Sequence, residues 1–185
     1  MTTSLPRDPA DGIVPDTKDW TWTLGRPCPE CGFEAAAVRA HDVAQAVRAA
    51  TAPWSVVLAR PDVAERPDPA TWSPLEYGCH VRDVCRVFDV RLRSMLAVDD
   101  PLFDNWDQDA TAAQDRYGEQ DPGQVARELD EAASRLAGTF GQVPSDRWSR
   151  TGTRSNGSRF TVLTLGQYAL HDLVHHLHDV DAPIR

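Results

Sequence analysis

Four stretches of this chain repeat apolar residues at helical spacing. The first runs from Glu34 or Ala35 to about Ala50, with Val38, Val43 and Val47 recurring on one side. The second opens at Trp72-Ser73-Pro74-Leu75-Glu76, with Ser at the N-cap, Pro at the first helical position and Glu at the third. It is expected to reach about Val98 and to bury Tyr77, Val81, Val84, Phe88, Leu92 and Met95. The third opens at Asp121-Pro122, buries Val125, Leu129, Ala132, Leu136 and Phe140, and ends at Gly141. The fourth covers Thr161 to Val180, with Leu170, Leu173, Val174 and Leu177 as its apolar arc.

The segments between them read as connections. Residues 51–71 carry Pro53, Pro61, Pro67 and Pro69, with a helical turn over Trp54 to Arg60. Residues 99–120 are acidic and polar, and form a long crossover rather than a tight turn. Residues 142–159 hold Gly and Asn turn signals, with room for a short strand or hairpin. With no convincing strand, the fold class is all-α: a four-helix bundle over residues 34–185, preceded by an arm over residues 1–33. The arm is irregular to about residue 19, then carries Trp20 and Trp22, which are expected to pack it back onto the bundle.

The 185 residues suit a single domain, and a hydrophobic content of 41% suffices for a core. A formal net charge of -9 leaves no room for a large basic face, so nucleic acid and anionic membrane are excluded as partners. The expected partner is a small-molecule substrate. No apolar run approaches the roughly 20 residues of a membrane span. The opening MTTSLPRDPADG lacks the regions of a signal peptide, so a cytoplasmic location is expected. In that compartment the four cysteines are thiols or ligands rather than disulfides.

Four of the six histidines fall on the fourth helix, which makes that helix the chemical focus. His171 and His175 stand at i and i+4 and rise from one face; His178 lies a further turn along. Such a pair matches the reach of two cis ligands on one divalent ion, although on surface helices the pattern also arises without a metal. His80 lies at the margin of the second helix's apolar arc. If those two helices are neighbours, His80, His171 and His175 converge. Three imidazoles with an open fourth position are a catalytic zinc arrangement, and imidazole also suits nickel, iron and cobalt.

Trp72-Ser73-Pro74-Leu75-Glu76, then His80, then His171-Asp172-Leu173-Val174-His175 resemble the DinB-like superfamily in order and spacing. The segment Pro144-Ser145-Asp146-Arg147-Trp148 fits the same pattern, and the resemblance covers about residues 35 to 181. That superfamily includes bacillithiol- and mycothiol-dependent transferases and mycothiol-dependent maleylpyruvate isomerases. The resemblance implies an up-down-down-up bundle and a divalent metal, zinc or nickel, on His80, His171 and His175. It also implies a low-molecular-weight thiol, activated as thiolate and attacking a small electrophile, and a homodimer. The alternative is a metal- or small-molecule-binding bundle without turnover. An open fourth position favours the enzyme; closure by His178 or an N-terminal cysteine favours the alternative.

Cys28-Pro29-Glu30-Cys31-Gly32 departs from the superfamily pattern. It is half of a zinc knuckle, for which His41, His176 or His178 are the available completing ligands; Cys79 and Cys85 point different ways on one helix. A redox pair is the alternative, without the strand-then-helix setting of thioredoxins; two thiols packing the arm is the plainest reading. His178, Asp83 and Asp172 are candidates for the outer shell around the histidines, with solvent exposure as the alternative. His176 lies off the stripe and reads as a surface residue. Arg154 and Arg159, just before the fourth helix, are candidates for binding an anion or, more simply, loop arginines.

Overall fold

The structure, a computed structural model, describes residues 12–13 and 18–183, so most of the irregular arm over residues 1–19 lies outside the described residues. Six α-helices follow in chain order: α1 (Val43–Thr51), α2 (Trp54–Val57), α3 (Pro74–Ala97), α4 (Gln108–Gln114), α5 (Pro122–Gly141) and α6 (Val162–Asp179). The long ones, with α1, make the four-helix bundle. Helix α5 packs on α1 and α3, and α6 packs on the same two, so the ring runs α1–α5–α3–α6. Leu92, Met95, Leu136, Phe140, Leu165 and Leu170 meet at its centre, all buried.

The caps act as their residue types dictate. Ser73 Oγ accepts from the Glu76 amide at 3.3 Å while Glu76 Oε2 accepts from the Ser73 amide at 2.8 Å, and the same carboxylate binds the Arg66 guanidinium. Asp121 Oδ1 accepts from the Gln124 amide at 2.7 Å to start α5. Thr161 and Thr164 form the reciprocal box that starts α6.

Helix α6 approaches its neighbours closely through Gly166. A Cβ there would lie 2.9 Å from Val43 Cγ1 of α1 and 3.1 Å from the Phe140 ring of α5. Gly166→Ala is therefore expected to destabilise. The helix-propensity gain of about 1 kcal/mol is outweighed by overpacking, which costs about 1–3 kcal/mol. Urea denaturation measures the sign.

The first helix begins later than its periodicity suggests. Residues Ala35–Ala37 and Ala40–Asp42 are 3₁₀ turns, and Val38 and Arg39 between them are extended. The Val38 carbonyl accepts from Gln167 Nε2 of α6 at 2.9 Å, a tertiary bond in place of a helical one.

The chain is not purely helical. Strands β1 (Leu102–Phe103), β2 (Thr151–Arg154) and β3 (Arg159–Thr161) form a small sheet in that order, β1–β2 parallel and β2–β3 antiparallel. Thr151 pairs with Thr161 and Thr153 with Arg159, and Gly157 supplies the left-handed turn residue at φ +94. The all-α reading is corrected by this sheet, whose strands are too short to show a period of two. Gly152 lets β2 lie against α3: a Cβ would stand 2.7 Å from Met95 Cγ.

The crossover after α3 is structured too. It carries β1, α4 and a 3₁₀ turn at Tyr117–Glu119, and buries Tyr117. The arm's Trp20–Leu24 forms a 3₁₀ turn, capped by Asp19, that packs against α6. Among the described residues no helix is long and apolar enough to cross a membrane.

Candidate functional site

Helix α6 presents two i,i+4 pairs, His171/His175 and Asp172/His176. They are offset by one residue, hence by about 100° around the axis. That rotation sends the first pair toward the N-terminal arm and the second toward α3.

The first pair meets Cys28 and Cys31, and one ligand atom from each of the four residues lies within 4.8 Å of all the others. Cys28 Sγ is 3.8 Å from His175 Nδ1. The cysteines sit on a tight turn in which the Gly32 amide donates to the Cys28 carbonyl and the Cys28 amide donates to the Phe33 carbonyl, both at 2.9 Å. Gly32 takes φ +72, which a glycine tolerates. The other nitrogen of His175, Nε2, faces Glu30 Oε2 at 3.4 Å and Asp179 Oδ1 at 3.9 Å. His171 Nε2 is buried with no hydrogen-bond partner among the described residues. Burial, with His175 alongside, lowers His171 to about 4, and burial also lowers His175. Burial above all pushes Cys31 up to about 11, far from the low-pKa thiol of a redox pair.

The second pair meets His80 of α3. Asp172 Oδ1 lies 3.2 Å from His80 Nε2 and 3.1 Å from His176 Nε2, so one carboxylate oxygen sits between two imidazoles. His176 Nδ1 in turn contacts Asp179 Oδ2 at 2.8 Å. His80 is fully buried, stacked on Trp106 at 5.3 Å with ring planes 6° apart, and flanked by Trp72 at 5.4 Å. Burial lowers the His80 pKa. Burial opposes charge on His176 as well, but the carboxylates of Asp172 and Asp179 override it and raise His176 to about 9. Despite its own burial, Asp172 is held well below the usual carboxylate range by His176 and His80. Without a metal, the His176 imidazolium serves as the cation between two carboxylates. The group attracts positive charge, which is what a cation site requires.

The three histidines that the sequence joins are thus divided. His171 and His175 belong with the cysteines, and His80 belongs with Asp172 and His176. Cys28 and Cys31 find their companions in the helix pair itself; His41 is exposed beside Asp42, and His176 and His178 stay outside that cluster. His178 is exposed, its ring 6.3 Å from that of His175. Asp172 contacts the imidazoles of both His80 and His176. Asp83 is spent elsewhere: its oxygens take Arg82 at 3.0 and 2.8 Å, Arg86 at 2.9 Å and the Tyr117 hydroxyl at 2.6 Å. His176, read from the sequence as a surface residue, is a member of the α3-facing cluster. The signal for it was its i+4 spacing from Asp172. Asp179 also escaped notice and touches an imidazole of each cluster.

Arg154 is buried over the Phe160 and Tyr168 rings, donating to Asn156 Oδ1 and Ser158 Oγ within its own hairpin. Arg159 pairs with Asp100 at 3.2 Å on the surface. A cavity of about 260 Å³ opens beside both clusters, its wall including Trp20, Trp72, Tyr77, Tyr168, Asp172 and His176.

A sequence model of the DinB superfamily matches residues 44–180. The matched stretch includes all three residues of the α3-facing cluster but neither Cys28 nor Cys31. Among solved structures, YfiT from Bacillus subtilis is similar at a TM-score of 0.68 and 16% identity, over 77% of this chain and 84% of that one. YfiT is described as a probable metal-dependent hydrolase with an unusual four-helix bundle topology. At that identity the likeness carries the fold alone. No functionally curated protein matches the chain.

Proposed function

Because the chain belongs to the DinB superfamily, we propose that it is a divalent-metal-dependent enzyme acting on a small molecule, with His80, Asp172 and His176 as the metal ligands. The observation that carries this reading is Asp172 Oδ1 lying between His80 Nε2 and His176 Nε2, with Asp172 and His176 in the wall of the cavity. Two imidazoles and a carboxylate form the donor set of hydrolytic zinc sites and also suit nickel and iron. Three protein ligands leave room for an exogenous one. A bound ion would supply Lewis acidity, lowering the pKa of a water or thiol and polarising a substrate carbonyl.

The chain's own groups supply the rest. Asp179 accepts from His176 Nδ1, leaving Nε2 as the lone-pair nitrogen. Trp106 and Trp72 enclose His80 and keep water from it. Trp20, Tyr77 and Tyr168 give the cavity aromatic walls suited to a small apolar electrophile. Hydrolysis and thiol transfer share these needs. The description of YfiT supports water as the nucleophile, and the superfamily's transferases support a low-molecular-weight thiol. An up-down-down-up helix order fits the length of the crossover between α3 and α5.

The reading without turnover keeps one specific observation in its favour. His171 and His175 meet two N-terminal cysteines, so a sphere built there is closed. Catalysis therefore rests on the α3-facing cluster alone.

The test uses cobalt-loaded protein and two probe reactions: a chromogenic acetate ester, and a chromogenic aryl halide with glutathione. Turnover of either probe that chelation abolishes and cobalt restores, and that His176→Ala lacks, supports the enzyme. A cobalt spectrum unaltered by azide shows no open position and contradicts it.

A further inference from the structure

We propose that Cys28, Cys31, His171 and His175 form a closed, structural zinc site that fastens the N-terminal arm to α6. This inference stands whether or not the neighbouring cluster is catalytic.

The donor set is two sulfurs and two imidazole nitrogens. Thiolates select zinc over magnesium or calcium, and a four-ligand set of this kind is the closed structural form. Bond lengths of about 2.3 Å to sulfur and 2.0 Å to nitrogen give a tetrahedron with S···N edges of about 3.5 Å. The separation of 3.8 Å between Cys28 Sγ and His175 Nδ1 needs only a few tenths of an ångström of adjustment.

The backbone and outer contacts agree with that geometry. The Cys28–Gly32 turn aims two side chains from one short loop, with the left-handed Gly32 directly after the second cysteine. His175 is oriented from its far side: Glu30, inside the knuckle itself, faces Nε2 while Nδ1 faces the sulfur. A proton on Nε2, the nitrogen that faces that carboxylate, leaves the Nδ1 lone pair for the ion.

The competing readings leave polar atoms unsatisfied. All four cysteines of the chain are free thiols. A Cys28–Cys31 disulfide would withdraw both sulfurs and leave His171 Nε2 buried without a partner. Plain packing of two thiols against two buried imidazoles has the same fault.

The family match covers residues 44–180, so Cys28 and Cys31 lie outside the matched stretch while His171 and His175 lie within it. Its mechanical consequence is specific. Trp20, on the stapled arm, lies with its ring tilted 5.4 Å from that of His171 and 5.0 Å from that of His175, and forms part of the cavity wall. The ion holds this wall in place.

The test follows metal content, the cobalt spectrum and proteolysis of the arm in wild type, Cys31→Ser, Cys31→His and His176→Ala. Cobalt-loaded wild type should show thiolate-to-metal charge transfer. Cys31→Ser should bind about one ion fewer per chain, and its arm should be cleaved about tenfold faster or more, with helical content retained. Cys31→His, which restores a donor, should regain ion and protection. His176→Ala should keep the charge-transfer band, so failure of the proposed enzyme site and failure of the staple are told apart. If substitution prevents folding, chelation of wild type is the second measurement, and faster arm cleavage on chelation is expected. The proposal is overturned by a cobalt spectrum without thiolate bands, by a Cys28–Cys31 disulfide in the purified protein, or by arm cleavage indifferent to chelation.

Discussion

Asp172→Ala should strip the α3-facing cluster of its ion and abolish metal-dependent turnover, while the ion at Cys28 and Cys31 remains. Asp172 Oδ1 touches both His80 Nε2 and His176 Nε2. Removing it takes away the proposed ligand and the carboxylate that lies between the rings. Loss of an outer-shell partner costs metal sites about 10–100-fold in affinity, and loss of a direct ligand should cost more than that. The substitution also removes one of the two carboxylates that raise His176 to about 9, so in metal-free protein the His176 pKa should fall. Calorimetric metal titration and histidine NMR read the two effects separately. Asp172→His, which keeps a donor at the position, should retain the ion. Unchanged affinity in Asp172→Ala would remove this carboxylate from the site.

Asp83→Ala should be among the most destabilising single substitutions outside the apolar core, and should leave metal content unchanged. Arg82 is 4% exposed and holds Asp83 through two contacts, while Tyr117 buries its hydroxyl against the same carboxylate. Breaking a buried pair from one side costs about 3–5 kcal/mol, because the remaining charge is left without compensation. Arg82 keeps Glu128 at 3.1 Å and Gln120 at 2.7 Å, which places the expected loss near the low end, about 3 kcal/mol. Against a typical total of about 5–15 kcal/mol, that is a large share.

The pH dependence of this carboxylate has a definite sign. Burial works to raise the Asp83 pKa, but Arg82, Tyr117 and Arg86 hold it below the ordinary value of 3.8. A depressed carboxylate stabilises the fold above its unfolded pKa and loses that contribution as pH falls through the folded one. Wild type and Asp83→Ala should therefore differ most near neutrality and converge in strong acid. Urea denaturation over that range, with elemental analysis of the folded samples, checks both halves.

The helices were legible because their ends carry chemistry as well as periodicity. Ser73-Pro74 with Glu76, and Asp121-Pro122, mark starts that the backbone then takes. The turn signals of residues 142–159 left room for the β2–β3 hairpin, but β1 and its pairing were not legible, since a strand of two residues leaves no alternation to read. The start of α1 misled because Val38 keeps the apolar spacing while its carbonyl is claimed by Gln167, a residue far along the chain.

The same distinction explains the site. The sequence singled out Cys28, Cys31, His80, His171, His175 and Asp172 as candidates, yet which of them meet depends on what lies opposite each face of α6. A rotation of one residue separates a face that looks at the arm from one that looks at α3. Cys28 and His175 are 147 residues apart, beyond any local signal. Asp83 was misleading for the opposite reason: it is near His80 in sequence, but Arg82 and Tyr117 hold it.

The most direct test of two separate centres on α6 is metal per chain in untagged wild type, His80→Ala and His171→Ala, with the cobalt spectrum recorded for each. Two ions are expected in wild type and one in each variant. The thiolate band should survive in His80→Ala and collapse in His171→Ala. A single ion in wild type, lost from both variants alike, would mean that His80 and His171 share one centre, and would contradict the division of the helix into two sites.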